Sequence, residues 1–458
     1  MPDTGEEMQA PGAGPHRLSR RHLLALGVGA GIGAIAPVPR TAAAAAPTRS
    51  PVGHVLPNGL VVIMEDRRSA DTLALQLTAR AGGRDTPDAP GLALLVSRLM
   101  FQGTGSYPSE TSLQRAAALV GGEVTRGTSE ETSVFTSVVP AFEAGVAFDL
   151  LSSLVLDPLL EESALARVKE IALQDLARGR ASPSRLVADL FQSSIFAGHP
   201  LGTPIIGTPE SIAATTRASL LQARERLWRA RNLVLTIVGR LSVEDALSHA
   251  EAYFGALPPG ASNERPSVPV PAVDAQRTVV GEAGQQQAQY RLGFIAPGLN
   301  HPDRYAFVLL DTLVSDYLYD ELRTERGLAY FAGSDYTPYS DAGTWVAAAN
   351  VDPQNVELAL SLTLTIVRQL RVVPWSSTAL NAAKGLMAGR QVLEQETNAA
   401  RAERLSSQLT LGTQSTDEYV RRLQAVTPED VARVAQTYLH PDRATVAIVG
   451  PRRGSGGP

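Results

Sequence analysis

Leu233-Val-Leu-Thr-Ile-Val-Gly239 and Ala444-Thr-Val-Ala-Ile-Val-Gly450 lie 211 residues apart and read alike. Each is a short run of apolar and β-branched residues stopped by glycine, and the two close two halves of the chain in the same way. Behind each stands a helical pattern opened by Thr-Pro-Glu, at Thr208 and at Thr427, where threonine caps and proline takes the first turn. Further back, Leu73–Gly82 and Gln289–Gly298 each read as strand, then a turn rich in Pro and Asp, then helix. Three pairs in one order argue for an internal duplication. Between the copies, Pro258 to Pro271 holds five prolines among Gly260, Ser262, Asn263 and Ser267, which favours an extended linker over helix or central strand.

Within the first copy, Leu60–Met64, Leu73–Ala79 and Thr132–Val139 read as strands. Ala141–Leu156, Ser163–Arg178 and Leu220–Trp228 read as helices. Strands and helices come in runs rather than in strict alternation. That is an α+β layer architecture, not a doubly wound parallel sheet.

The 458 residues are 44% hydrophobic and 19% charged, a balance that excludes wholesale disorder. There are 41 basic and 46 acidic side chains, with no dense basic block to replace the counterions of a nucleic acid. Cysteine is absent, which excludes thiolate zinc sites, iron–sulfur clusters and disulfides. At the start, Ser19-Arg20-Arg21-His22-Leu23-Leu24 opens an apolar stretch to Ala36, and the small residues Thr41–Ala46 offer Ala-x-Ala cleavage sites. This is the build of a twin-arginine export signal. Its apolar part, about 14 residues, is short of the ~18 a membrane span needs. The expected organisation is a signal at 1–46, an N-terminal domain at 47–257, a linker at 258–275, a C-terminal domain at 276–452 and a flexible tail at 453–458. The mature protein is expected in the periplasm or outside the cell, with no membrane segment.

Beyond the signal, the histidines are His54, His199, His249, His301 and His440, and no two fall within four residues. No helix face can therefore present the i, i+4 pair that holds zinc. There is no Gly-x-Ser-x-Gly elbow and no Gly-x4-Gly-Lys phosphate loop. Spacing alone shows no catalytic centre.

Gly91-Leu-Ala-Leu-Leu-Val-Ser-Arg-Leu-Met-Phe-Gln-Gly-Thr104, however, resembles the zinc helix of the pitrilysin/insulinase-type peptidases, processing peptidases included. The resemblance continues through Gly121-Gly-Glu123, Leu150–Pro158 and His199-Pro-Leu-Gly-Thr-Pro-Ile-Ile-Gly-Thr-Pro-Glu210. It resumes at Glu321-Leu-Arg-Thr-Glu-Arg-Gly-Leu-Ala-Tyr330 and runs to Gly450-Pro451. It implies two homologous domains forming half of a clamshell. The family's two zinc histidines and its glutamate base fall on Leu94, Arg98 and Ser97, and the remaining ligand falls on Asp175. A permanently charged arginine cannot ligate zinc, and one aspartate cannot hold it. By this reading the chain binds no metal and no cofactor of its own. His199 falls at a turn and is expected to be structural.

The resemblance also implies an Arg-x6-Tyr pair that supplies donors to the substrate, matched here by Arg323 and Tyr330 as the catalytic residues. Two departures accompany it. A glycine-rich loop before the arginine is expected to be shortened to Val314-Ser-Asp-Tyr317, and an Asn-Ala pair on the peptide-binding edge strand is replaced by Thr125-Arg126. The implied function is the non-catalytic subunit of a heterodimeric zinc metallopeptidase, inactive alone. Its partners would be a homologous zinc-bearing subunit and a peptide substrate. The alternative is a catalytically silent peptide-binding or structural protein of the same fold.

Overall fold

The computed structural model describes residues 50–263, 265, 275–282 and 285–451. The expected export signal, the expected tail and most of the expected linker lie outside them. Strands β1 (Val52–Val55), β2 (Val61–Asp66), β3 (Thr72–Ala79), β4 (Glu123–Thr128), β5 (Ser133–Pro140) and β6 (Leu233–Gly239) form one sheet in the order β1-β2-β6-β3-β5-β4. Strands β7 (Gln276–Glu282), β8 (Ala288–Ala296), β9 (Ala329–Pro338), β10 (Gly343–Val351) and β11 (Thr445–Pro451) form a second in the order β7-β11-β8-β10-β9. Without β1 the two orders superimpose. Among the described residues each sheet has a single parallel pair, β2 with β6 and β7 with β11. The architecture is α+β with two like domains, and the two glycine-stopped runs are the equivalent strands β6 and β11.

One expected match moves. The helix leading into β6 is Arg217–Leu227, capped by Thr216, and the helix leading into β11 is Pro428–Tyr438, capped by Thr427. Thr216 and Thr427 keep the same 211-residue offset as the strands. Thr208 caps a separate short helix, Pro209–Ala214. The Thr-Pro-Glu likeness selected the wrong helix because the cap chemistry at Thr216, which accepts from the Ser219 N–H, needs no proline.

Alternation along β3 assigns its two faces. Leu73, Leu75 and Leu77 join Phe135, Phe148 and Leu151 in the first core, beneath the domain's own helices. Ala74, Gln76 and Thr78 face the other way, and that face is covered by a helix from the second half, Asn398–Thr410. Ala402 and Leu405 pack on Ile63, Ala74, Val234 and Val238. Ser406 bonds Thr78 at 2.8 Å, Asn398 donates to the Thr72 carbonyl at 2.8 Å, and Arg401 pairs with the buried Glu65. The second sheet is treated the same way. Helix Pro183–Ile195, from the first half, lays Val187, Phe191 and Ile195 against Val346, Ala447 and Val449. Gly293 makes room for it, since a Cβ there would meet the Phe191 ring at 2.7 Å. The halves have exchanged helices.

A buried ionic cluster closes the seam. Arg84 donates to both carboxylate oxygens of Asp341, at 2.8 and 2.9 Å, and to Glu131 at 2.9 Å. Glu131 also accepts from the Ser340 N–H, and Arg265 spans Glu131 and Asp85. The described start of the linker is therefore held rather than loose. Pro258 and Pro259 accept from the Ala230 and Arg231 N–H groups, and Asn263 donates to the Arg80 carbonyl. Among the described residues no helix is long and apolar enough to cross a membrane.

Candidate active site

Helix Leu92–Met100 leaves the first sheet with the expected inner stripe, as Leu92, Leu95, Val96 and Leu99 are all buried. Its start is fixed by a close crossing with the His199–Glu210 segment. Gly91 has φ +89° and Gly207 has φ +85°, and a Cβ on either would strike backbone: Ile206 O at 2.7 Å, Pro90 O at 2.5 Å. Only glycine fits both places without strain. His199 is buried and its Nδ1 accepts from the Leu201 N–H at 3.1 Å, capping a turn as expected.

The structure brings the degenerate positions together. Arg98 Nη2 meets Asp175 Oδ2 at 2.8 Å, so the helix Glu162–Ala181 does deliver Asp175 to the Leu92–Met100 helix. Asp175 is shared with Arg178. Ser97 is buried and its hydroxyl bonds the Leu94 carbonyl and the Thr128 hydroxyl, at 3.1 and 2.9 Å. Leu94 offers only an alkyl face. The residues present do not fit zinc: the one anionic ligand is already neutralised by two guanidinium groups, and a cation beside them would be repelled. Thr125 and Arg126 lie on β4, which is an edge of its sheet. Arg126 stacks over Phe101 at 5.4 Å, and burial lowers its pKa from the ordinary arginine value.

In the second half the helix Arg304–Tyr319 runs on through Val314–Tyr317 without a break, so the glycine-rich loop is absent rather than shortened. Buried Val314 and Tyr317 hold that stretch in the core. After Tyr319 the backbone widens into one π turn, Asp320–Thr324, which carries Arg323. Gly327, at φ +60°, reverses the chain into β9, and Tyr330 follows. Arg323 donates through Nη1 to the Tyr330 carbonyl. Its guanidinium sits 5.0 Å from the Tyr330 ring and 5.3 Å from the Tyr319 ring. Tyr330 is 71% exposed. The pair predicted from sequence is thus in contact, open to solvent, and oriented by a third residue, Tyr319. Sequence reasoning missed Tyr319, although its position four residues before Arg323 on a helical pattern carries the signal. Two aromatic rings flank the exposed guanidinium within cation–π distance.

An α+β domain present twice, with one helix-borne site closed on an ion pair and one arginine–tyrosine site open, defines a metallopeptidase-like scaffold. A family model described as insulinase, peptidase family M16, matches residues 61–209, and one described as peptidase M16 inactive domain matches residues 214–387. The chain belongs to this M16, insulinase-like family. A Mycobacterium tuberculosis protein named as an uncharacterized zinc protease is 27% identical over 419 residues, covering 90% of this chain and 94% of its own. The crystal structure of a peptidase M16 inactive domain from Pseudomonas fluorescens is 22% identical, with a TM-score of 0.81 over 89% of this chain and 100% of that one. A Helicobacter pylori protease has the same TM-score at 18% identity, over 88% of this chain and 99% of that one. The two structures share the fold.

Proposed function

We propose that this chain is the non-catalytic subunit of a heterodimeric M16 peptidase, exported by the twin-arginine route and inactive alone. In this reading it binds no stoichiometric zinc. A homologous subunit with an intact His-x-x-Glu-His helix supplies the metal, and this chain supplies Arg323 and Tyr330 to the peptide held between the two. The observation that carries the reading is the contrast within one molecule. The first site is closed by Arg98 and Asp175, whereas Arg323 stands exposed between two tyrosine rings with donors free to meet a substrate carbonyl. Fixed donors of this kind, aimed at an oxygen gaining negative charge, are worth about 10²–10³ in rate.

The test is affinity purification of the exported protein to obtain its partner, then peptide cleavage by the reconstituted pair. Tyr330→Phe removes one hydroxyl with little change in packing and is expected to lower kcat while KM holds. Full turnover by Tyr330→Phe and by Arg323→Ala in an intact heterodimer would reduce the chain to a structural partner. Close to one zinc per chain by elemental analysis would overturn the metal-free reading. Export is tested by changing Arg20 and Arg21 to Lys, which should strand a full-length precursor in the cytoplasm.

A further inference from the structure

Arg98 and Asp175 line a cavity of about 540 Å³, within the range of small-ligand sites and roomy enough for the end of a peptide. Part of its wall is apolar, Leu94, Leu186 and Ile206 among it, and its charged lining is three arginines, Arg98, Arg180 and Arg185, against two aspartates, Asp175 and Asp189. The acids there are already committed. Asp175 is divided between Arg98 and Arg178, and Asp189 pairs with Arg185. Arg98 Nε and Nη1 are buried behind the wall and have no hydrogen-bond partner among the described residues, so little acceptor chemistry balances this guanidinium. A pocket with a greasy wall and surplus guanidinium charge asks for an anion attached to an apolar group.

The pocket also has an approach. Thr128, the last residue of β4, lines it, and β4 has a strand neighbour on one side only. An extended peptide laid along that free edge, with its C-terminus towards Thr128, delivers its last side chain to the apolar wall and its end group to the arginines.

We propose that the closed first site is a receptor for the free C-terminal carboxylate of a peptide ending in an apolar residue. This inference rests on the peptide-binding part of the proposed function and names the ligand of its other half. Hydrolysis of a peptide bond creates a new carboxylate on the N-terminal fragment, so the ligand class is one that a peptidase makes. The former metal site then recognises cut peptides by charge rather than cutting them.

The test uses the full-length chain without a partner and reads fluorescence anisotropy. The probes are a labelled octapeptide ending in leucine with a free carboxylate, the same peptide as its C-terminal amide, and that amide with an internal glutamate. The acid is expected to bind at least tenfold more tightly than either amide at low salt, a gap of the size a charge-assisted bidentate contact gives. Arg98→Gln should close most of the gap. Because that change strips Asp175 of a partner, the exposed-site variant Arg180→Gln is run beside it and should narrow the gap about threefold. Equal affinity for acid and amide, no binding of any probe, or a gap untouched in both variants overturns the proposal. An internal glutamate as good as the terminal carboxylate overturns it too. None of these outcomes bears on Arg323 and Tyr330, whose test is turnover by the assembled pair.

Discussion

The helix leaving β3 and the helix leaving β8 hold the same place in the two copies, each next to its edge strand, yet they end in opposite chemistry. In the first copy the arginine of the edge strand, Arg126, lies over the ring at the helix end, Phe101, which is fully buried. In the second the arginine is at the helix end and the ring is on the edge strand, as Arg323 and Tyr330, and both are exposed. The same cation–π contact is built with its partners transposed. Transposition decides exposure: a nine-residue helix keeps Phe101 in the core, while a sixteen-residue helix with a π turn carries Arg323 beyond it. Duplication preserved the frame, and the two frames were then filled independently.

The contrast between a closed and an open site is broken most directly at Arg323. Arg323→Ala is expected to reduce kcat of the assembled pair about 100-fold, close to 2.7 kcal/mol of transition-state stabilisation, with KM little changed. Peptide cleavage with assembly checked by gel filtration measures it. Next in size is the crossing that shapes the closed site. Gly207→Ala combines positive φ with a 2.5 Å contact to the Pro90 carbonyl, so denaturant unfolding should show a loss of about 2 kcal/mol or more. Gly327 sharpens the comparison, because it also has positive φ but a Cβ there would meet nothing within 4 Å. Gly327→Ala should therefore lose only about 1 kcal/mol. Equal losses at the two glycines would mean that the crossing is not what fixes the start of the Leu92–Met100 helix.

The smallest effect lies at the seam joining the loop before the closed site to the β9–β10 turn. Burial raises the Asp341 pKa, but the hydrogen bonds and charge of Arg84 outweigh it and hold the carboxyl below its ordinary value. A carboxyl lowered in the folded state contributes stability above the usual carboxylate pKa, near 3.9, and loses it as pH falls through the lowered value. Thermal unfolding of the wild type should thus show a small loss of stability attributable to this group as pH falls below the usual carboxylate range, and Asp341→Asn should lack that component.

The strands β2, β3 and β5 were legible from alternation and β-branching, and β8 from its likeness to β3. The edge strand Glu123-Val-Thr-Arg-Gly-Thr128 was not legible from pattern, since a half-exposed edge needs no apolar alternation. Nor could any pattern have told that Asn398–Thr410 covers the first sheet and Pro183–Ile195 the second. An amphipathic stripe records that a face is buried but not by whom. At the sites, Arg323 and Tyr330 were reached through a resemblance, and so was Asp175, which lies far from Arg98 in sequence. The π turn was missed because spacing does not reveal how a helix widens at its end, whereas Tyr319, four residues before Arg323, was within reach of the i, i+4 rule.

The exchanged helices have a mechanical consequence. Paired domains usually rock about the linker that joins them. Here each sheet is capped by a helix rooted in the other half, and the caps are pinned by buried contacts from Glu65 to Arg401 and from Phe191 to Gly293. Parting the halves would uncover an apolar face on both sheets at once. Among the described residues the two halves are thus braced against each other, and in the proposed assembly the opening that admits a peptide is made against the partner.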